Sequence, residues 1–267
     1  MVLGLSSYSY GWAVGARGDG LPGSLDEHGL LDRCAEHGLK LLQIGDNLPL
    51  HEVEDARVAR LAERAGREGV SLEVGARRLT VGRVAEYAGI ARRIGAKLIR
   101  FVIDDPGYHP TPAAVIEVLK ESVPLLDGAV LALENHDRFP ARILRGIVES
   151  TGSDRVGICL DTANSLGAGE GLETVLRELA PLAFNLHLKD FTVTRLPYLM
   201  GFTVEGRPAG GGVLDIPALL RSLSPHGRCA TAVLESWTPP ESRIEDTLAK
   251  EAVWVGLSVG YLRPLFP

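Results

Sequence analysis

The sequence predicts an α/β fold closed as a (β/α)8 TIM barrel, and three observations lead there. Short aliphatic runs alternate with longer amphipathic stretches along the whole chain. Eight such runs recur at a spacing near 30 residues, the length of a βα unit. Glycines stand where the intervening helices would stop. The chain has 267 residues, and barrels of about 250 residues fold as one domain. No Pro-rich or Ser-rich linker divides it, so residues 1–267 are read as a single domain.

The strand candidates are 2–7, 39–44, 70–75, 97–103, 129–134, 156–161, 184–189 and 230–236. Helical patterns fill 24–37, 52–68, 80–94, 111–127, 141–150, 172–179, 216–223 and 241–259. The first of these opens with Ser24 and Glu27, the spacing of a capping box. Gly38, Gly69, Gly95 and Gly128 each precede a strand and suit the left-handed residue that ends a helix. The stretch 191–213 follows the seventh strand and reads as a long irregular loop, a candidate lid over the barrel mouth.

Composition excludes several function classes. The formal charge of −6 argues against a nucleic-acid surface, which carries a basic excess. The pairs Arg77–Arg78 and Arg92–Arg93 read as solvated surface. Three separated cysteines, Cys34, Cys159 and Cys229, make no disulfide framework or zinc ribbon and fit a reducing cytoplasm. No apolar run is long enough to cross a bilayer. GAGEG at 167–171 lacks the framing of a dinucleotide loop, and there is no P-loop or nucleophile elbow.

Strands five to eight carry the chemistry. Alternation puts Val130, Ala132 and Glu134 on one face, then Gly157, Cys159 and Asp161, then Asn185, His187 and Lys189, then Thr231, Val233 and Glu235. Each set carries an acid or imidazole near the C-terminal end of its strand, where this fold keeps its active sites. Polar groups facing a barrel interior need partners. Glu134, Asp161, His187 and Glu235 therefore form a candidate site for one divalent metal ion. Three carboxylates and one imidazole favour Mn²⁺ or Mg²⁺, with Co²⁺ or Zn²⁺ admissible. His136, Lys189, Asn164 and Asn47 are further candidates for substrate contact.

The segments LENH (133–136), LDTAN (160–164), HLKD (187–190), RPAGGGVLD (207–215) and LES (234–236) occur in one order along the second half of the chain. In this they resemble the xylose isomerase-like TIM-barrel superfamily of sugar isomerases and epimerases. The resemblance implies that Glu134 and Glu235 bind metal and also move protons on a bound keto sugar, and that Arg207 contacts substrate. Asn164 departs from the Asp-x-x-His pattern of many members. The seven histidines are scattered, unlike the zinc-binding cluster of the endonuclease branch.

The expected activity is a metal-dependent isomerase or epimerase that passes a small keto sugar through an enediolate. A decarboxylase or dehydratase of a 3-oxo sugar acid reaches the same intermediate and is the alternative. A non-catalytic sugar-binding barrel is the third reading. The expected partner is a small carbohydrate-like molecule, with no nucleic acid or membrane; a homo-oligomer is compatible.

Overall fold

A computed structural model describes residues 1–15 and 23–266. The strands are β1 (Val2–Ser6), β2 (Leu41–Ile44), β3 (Ser71–Arg77), β4 (Leu98–Val102), β5 (Val130–Glu134), β6 (Val156–Asp161), β7 (Ala183–Leu188), β8 (Asp190–Arg195), β9 (Phe202–Arg207) and β10 (Thr231–Leu234). Strands β1 to β7 and β10 close a parallel eight-stranded barrel, with β10 pairing both β7 and β1. The helices are α1 (Gly11–Val14), α2 (Glu27–Glu36), α3 (Asp55–Glu68), α4 (Val81–Ile94), α5 (Pro112–Ser122), α6 (Ala141–Thr151), α7 (Leu172–Leu179), α8 (Ile216–Leu223) and α9 (Ile244–Leu262). The chain is a (β/α)8 TIM barrel. Among the described residues, no helix is long and apolar enough to cross a membrane.

The eight expected strands all form, and their ends move by no more than two residues. Gly69 and Gly95 end α3 and α4 in the left-handed conformation, at φ 65° and 74°. The expected capping box of the first helix does not form. Helix α2 starts three residues after Ser24, at Glu27, and Asp26 caps it by accepting from Gly29 N at 2.8 Å. Ser24 instead donates its N–H to Ala13 O.

Most of the core lies between the barrel wall and the helices. Inside the barrel the apolar layer is small: Leu98, Ala132 and Cys159 form a separate cluster. Above and around it the interior is polar, with Gln43, Glu73, Arg100, Asn185 and His187 all buried. A bulge between β6 and β7 shifts the register by one residue at Cys159, so that Asp161 lies opposite His187. Paired residues share a face of the sheet. The bulge therefore turns His187 to the same side as Asp161.

The stretch expected as an irregular loop is an antiparallel hairpin. β8 and β9 pair from Asp190↔Arg207 to Arg195↔Phe202. The Asp190 carboxylate gathers the N–H groups of Phe191, Gly210, Gly212 and Leu214 at 2.8–3.2 Å. Gly212 is required there, since a Cβ would lie 2.1 Å from Asp190 Oδ1. The hairpin packs its β9 backbone against Trp237, where Gly206 again leaves no room for a side chain.

Candidate active site

The C-terminal ends of the strands bring Glu134, Asp161, His187 and Glu235 together, all buried. His187 Nδ1 lies 3.8 Å from Glu134 Oε2, 3.9 Å from Asp161 Oδ2 and 3.3 Å from Glu235 Oε1. Such separations suit donors grouped around one ion at about 2.1 Å from each. Among the described residues His187 Nδ1 makes no hydrogen bond, while Glu134 Oε2 and Asp161 Oδ2 meet only cationic side chains. Buried polar atoms rarely stay unpartnered, and an unpartnered imidazole nitrogen facing three carboxylates fits a shared cation. Cys159 is close enough to join Glu134 and His187. Its thiol instead points to Asn185 Oδ1 at 3.1 Å, and burial, reinforced by Glu134, pushes its pKa well up.

The imidazole is oriented from below. His187 Nε2 meets Gln43 Oε1 at 2.7 Å. The Gln43 amide cannot turn over, because its Nε2 donates to Glu73 Oε2 and Asn185 Oδ1 at 2.9 and 3.2 Å. The amide oxygen must then accept, His187 Nε2 carries the proton, and the Nδ1 lone pair is left for a cation held among the carboxylates. Burial pushes the Glu73 carboxyl up, against the lowering influence of Gln43.

Two cations balance the acids. Arg100 of β4 is completely buried and bridges Asp46 Oδ1 at 2.6 Å and Glu134 Oε2 at 3.0 Å. Glycines at 45 and 75 make room for its guanidinium: a Cβ at either would stand 3.0–3.1 Å from it. Lys189 Nζ lies 2.8 Å from Asp161 Oδ2 and 2.9 Å from Glu235 Oε2. Burial would lower the Lys189 ammonium, but Asp161, Glu235 and Glu134 hold it well above the ordinary lysine range. Burial would likewise raise Glu235; His187, Lys189 and Arg100 overcome it and keep that carboxyl well below the usual range. Ser6 at the end of β1 donates to Glu235 Oε1 at 2.8 Å.

Over these groups opens a cavity of about 200 Å³, lined by Arg77, Arg100, Glu134, His136, Lys189 and Glu235 among others. The expected substrate-contact residues divide here. His136, Asn164 and Lys189 line the cavity. Asn164 donates to Glu134 Oε1 at 2.7 Å and accepts from Lys189 at 3.2 Å. Arg207 does not line it; its guanidinium donates to Gly206 O and Glu205. Nor does Asn47, whose Oδ1 accepts from Ser7 Oγ; the neighbouring Asp46 faces the cavity instead. Asp190 holds the hairpin base. Arg77, read from sequence as solvated surface, lines the cavity; Arg100, Gln43 and Glu73 were not singled out from sequence, although a charged or amide side chain in LIRFV, LLQI or SLEVG is itself a signal in a strand buried on both faces.

A parallel barrel with acids, an imidazole and cations at its C-terminal mouth defines a class of protein: enzyme-like barrels with a polar centre. The xylose isomerase-like TIM barrel family model matches residues 30–255, and the chain belongs to that family. The chain is 30% identical over 264 residues to 3-oxo-isoapionate decarboxylase of Pectobacterium atrosepticum, covering 98% of this chain and 95% of the relative. A D-psicose 3-epimerase from Clostridium cellulolyticum H10, solved with D-tagatose, superposes with a TM-score of 0.73 at 14% identity, covering 98% of this chain and 97% of that one. A xylose isomerase-like barrel from Mycobacterium smegmatis, solved with magnesium, gives 0.70 at 13% identity over 98% and 97%.

Proposed function

We propose that the protein is a divalent-metal-dependent decarboxylase of a small 3-oxo sugar acid. The observation that carries this reading is the cavity walled by Glu134 and Glu235 of the ligand candidates and by three cations: Arg77, Arg100 and Lys189. Glu134, Asp161, Glu235 and Asp46 supply four negative charges against those three. A bound divalent ion would leave one positive charge, a balance that suits a monoanionic acid. The full-length similarity to a decarboxylase supports the same choice.

Glu134, Asp161, His187 and Glu235 would hold the ion, which when bound supplies Lewis-acid polarisation of the substrate carbonyl. Cleavage of the bond to the carboxylate releases carbon dioxide. The electron pair moves to the carbonyl oxygen and forms an enediolate. Lys189 and Arg100, fixed by their carboxylates, offset the charge that develops there. The vacated carbon then takes a solvent proton.

Isomerisation or epimerisation of a neutral keto sugar is the second reading, favoured by Glu134 and Glu235 both lining the cavity. A panel of 3-oxo sugar acids and keto sugars, with protein loaded with Mn²⁺, Mg²⁺, Co²⁺ or Zn²⁺, separates the two. The expected result is one carbon dioxide per acid consumed, lost on chelation, with solvent deuterium found in product alone. Deuterium exchange into a neutral keto sugar without any carbon dioxide would reverse the choice.

A further inference from the structure

The three cations lining the cavity differ in what already holds them. Lys189 sits 2.8–2.9 Å from two carboxylates and donates to Asn164. Arg100 is locked between Asp46 and Glu134. Arg77 has only long ion pairs, 3.6 Å to Asp46 Oδ2 and 3.9 Å to Asp105 Oδ1. Among the described residues it makes no hydrogen bond, and its buried Nε has no partner. Asp46 does not compete for it strongly, because Arg100 and the Tyr8 hydroxyl take that carboxylate at 2.6 and 3.0 Å. His136, the other basic group on the wall, is paired with Asp137 at 2.7 Å.

The backbone also marks this place. Arg77 ends β3 and shares the inward parity of Glu73 and Gly75. Arg78, the next residue, has φ 64°, a left-handed conformation that a non-glycine residue rarely adopts and that clusters at functional sites. β3 lies four strands from β7 in the closed order, so Arg77 and Lys189 stand across the mouth from one another.

We propose that Arg77 is the residue that recognises the carboxylate of the substrate, an inference that rests on the decarboxylase reading. A carboxylate entering the cavity replaces two long ion pairs with short, charge-assisted hydrogen bonds and satisfies the unpartnered Nε. The planar fork of a guanidinium fixes the plane of a carboxylate as well as its position. That matters for this chemistry, because the breaking bond must be aligned with the carbonyl π system. Lys189 and Arg100 then remain with the carbonyl end.

The test uses Arg77→Gln and Arg77→Lys in the metal-loaded protein, with two calorimetric probes of equal carbon number, D-xylonate and D-xylulose. Removing charge-assisted hydrogen bonds costs on the order of 10- to 100-fold in affinity. Arg77→Gln is expected to weaken xylonate by that factor and leave xylulose as in wild type, with Arg77→Lys between. Where a 3-oxo acid is turned over, KM should rise more than kcat falls. Equal losses for acid and neutral probe, or no loss for the acid, would overturn the proposal. Arg77-dependent xylonate binding without carbon dioxide from any acid would overturn the decarboxylase reading and leave the carboxylate site standing.

Discussion

At the scale of single residues, the clearest dependence is of His187 on Gln43. The amide is pinned by Glu73 and Asn185, so it dictates which imidazole nitrogen is free. Partners of this kind typically contribute 10- to 100-fold to metal affinity. Gln43→Leu should lower Mn²⁺ or Zn²⁺ affinity by about that factor in calorimetry. In metal-free protein, ¹⁵N shifts of His187 should then show loss of the single Nε2–H tautomer, while Gln43→Glu, which still accepts, keeps it. Unchanged affinity and tautomer in Gln43→Leu would remove Gln43 from the site. The sequence exposed one half of this pair and hid the other. His187 stands at a strand end in line with three acids, a pattern visible along the chain. Gln43 is 144 residues away, and only closure of the barrel makes it the partner. Arg100 was hidden for the same reason, because its two carboxylates come from separate strands' ends.

At the scale of elements, the barrel strands were legible and the hairpin was not. Barrel strands announce themselves by aliphatic runs that pack on both sides. FTVTR and FTVEGR alternate apolar with polar residues, but most of their side chains are exposed, so no buried run marks them. What fixes the hairpin is one carboxylate. Asp190 accepts four backbone N–H groups, one from the start of β8 and three from the glycine turn after β9. Asp190→Ala leaves those donors without their acceptor. The loss should be about 2–4 kcal/mol, given about 1–3 kcal/mol for each buried donor left unpaired and partial relief by water. Hydrogen exchange over 190–214 should accelerate well beyond that of β1 to β7. Equal protection in the variant would show that the hairpin is held by something other than Asp190.

At the scale of the whole molecule, the last helix is tied back to the first. Glu251 of α9 accepts from Trp12 N at 2.9 Å and Ala13 N at 3.1 Å, at the start of α1. Burial pushes its carboxyl up to about 7 from 4.5, despite those two donors. The folded chain therefore holds this proton over a range where the unfolded chain has released it. Stability from Glu251 is complete below pH 4.5, declines as pH rises through that window, and is lost above about 7. The full swing is about 3 kcal/mol. Glu251→Gln should flatten the pH dependence of urea unfolding between these limits, and parallel curves for the two proteins would disprove the assignment. The Asp190 clamp has a different consequence at this scale. Both ends of the hairpin are fastened beside the mouth, while Tyr198, Leu199 and Met200 at its tip stand exposed. Lengthening a loop at such a tip costs little, because closure entropy grows only slowly with length. A lineage of these barrels can thus vary the hairpin tip as an exchangeable cassette while the barrel beneath is inherited intact.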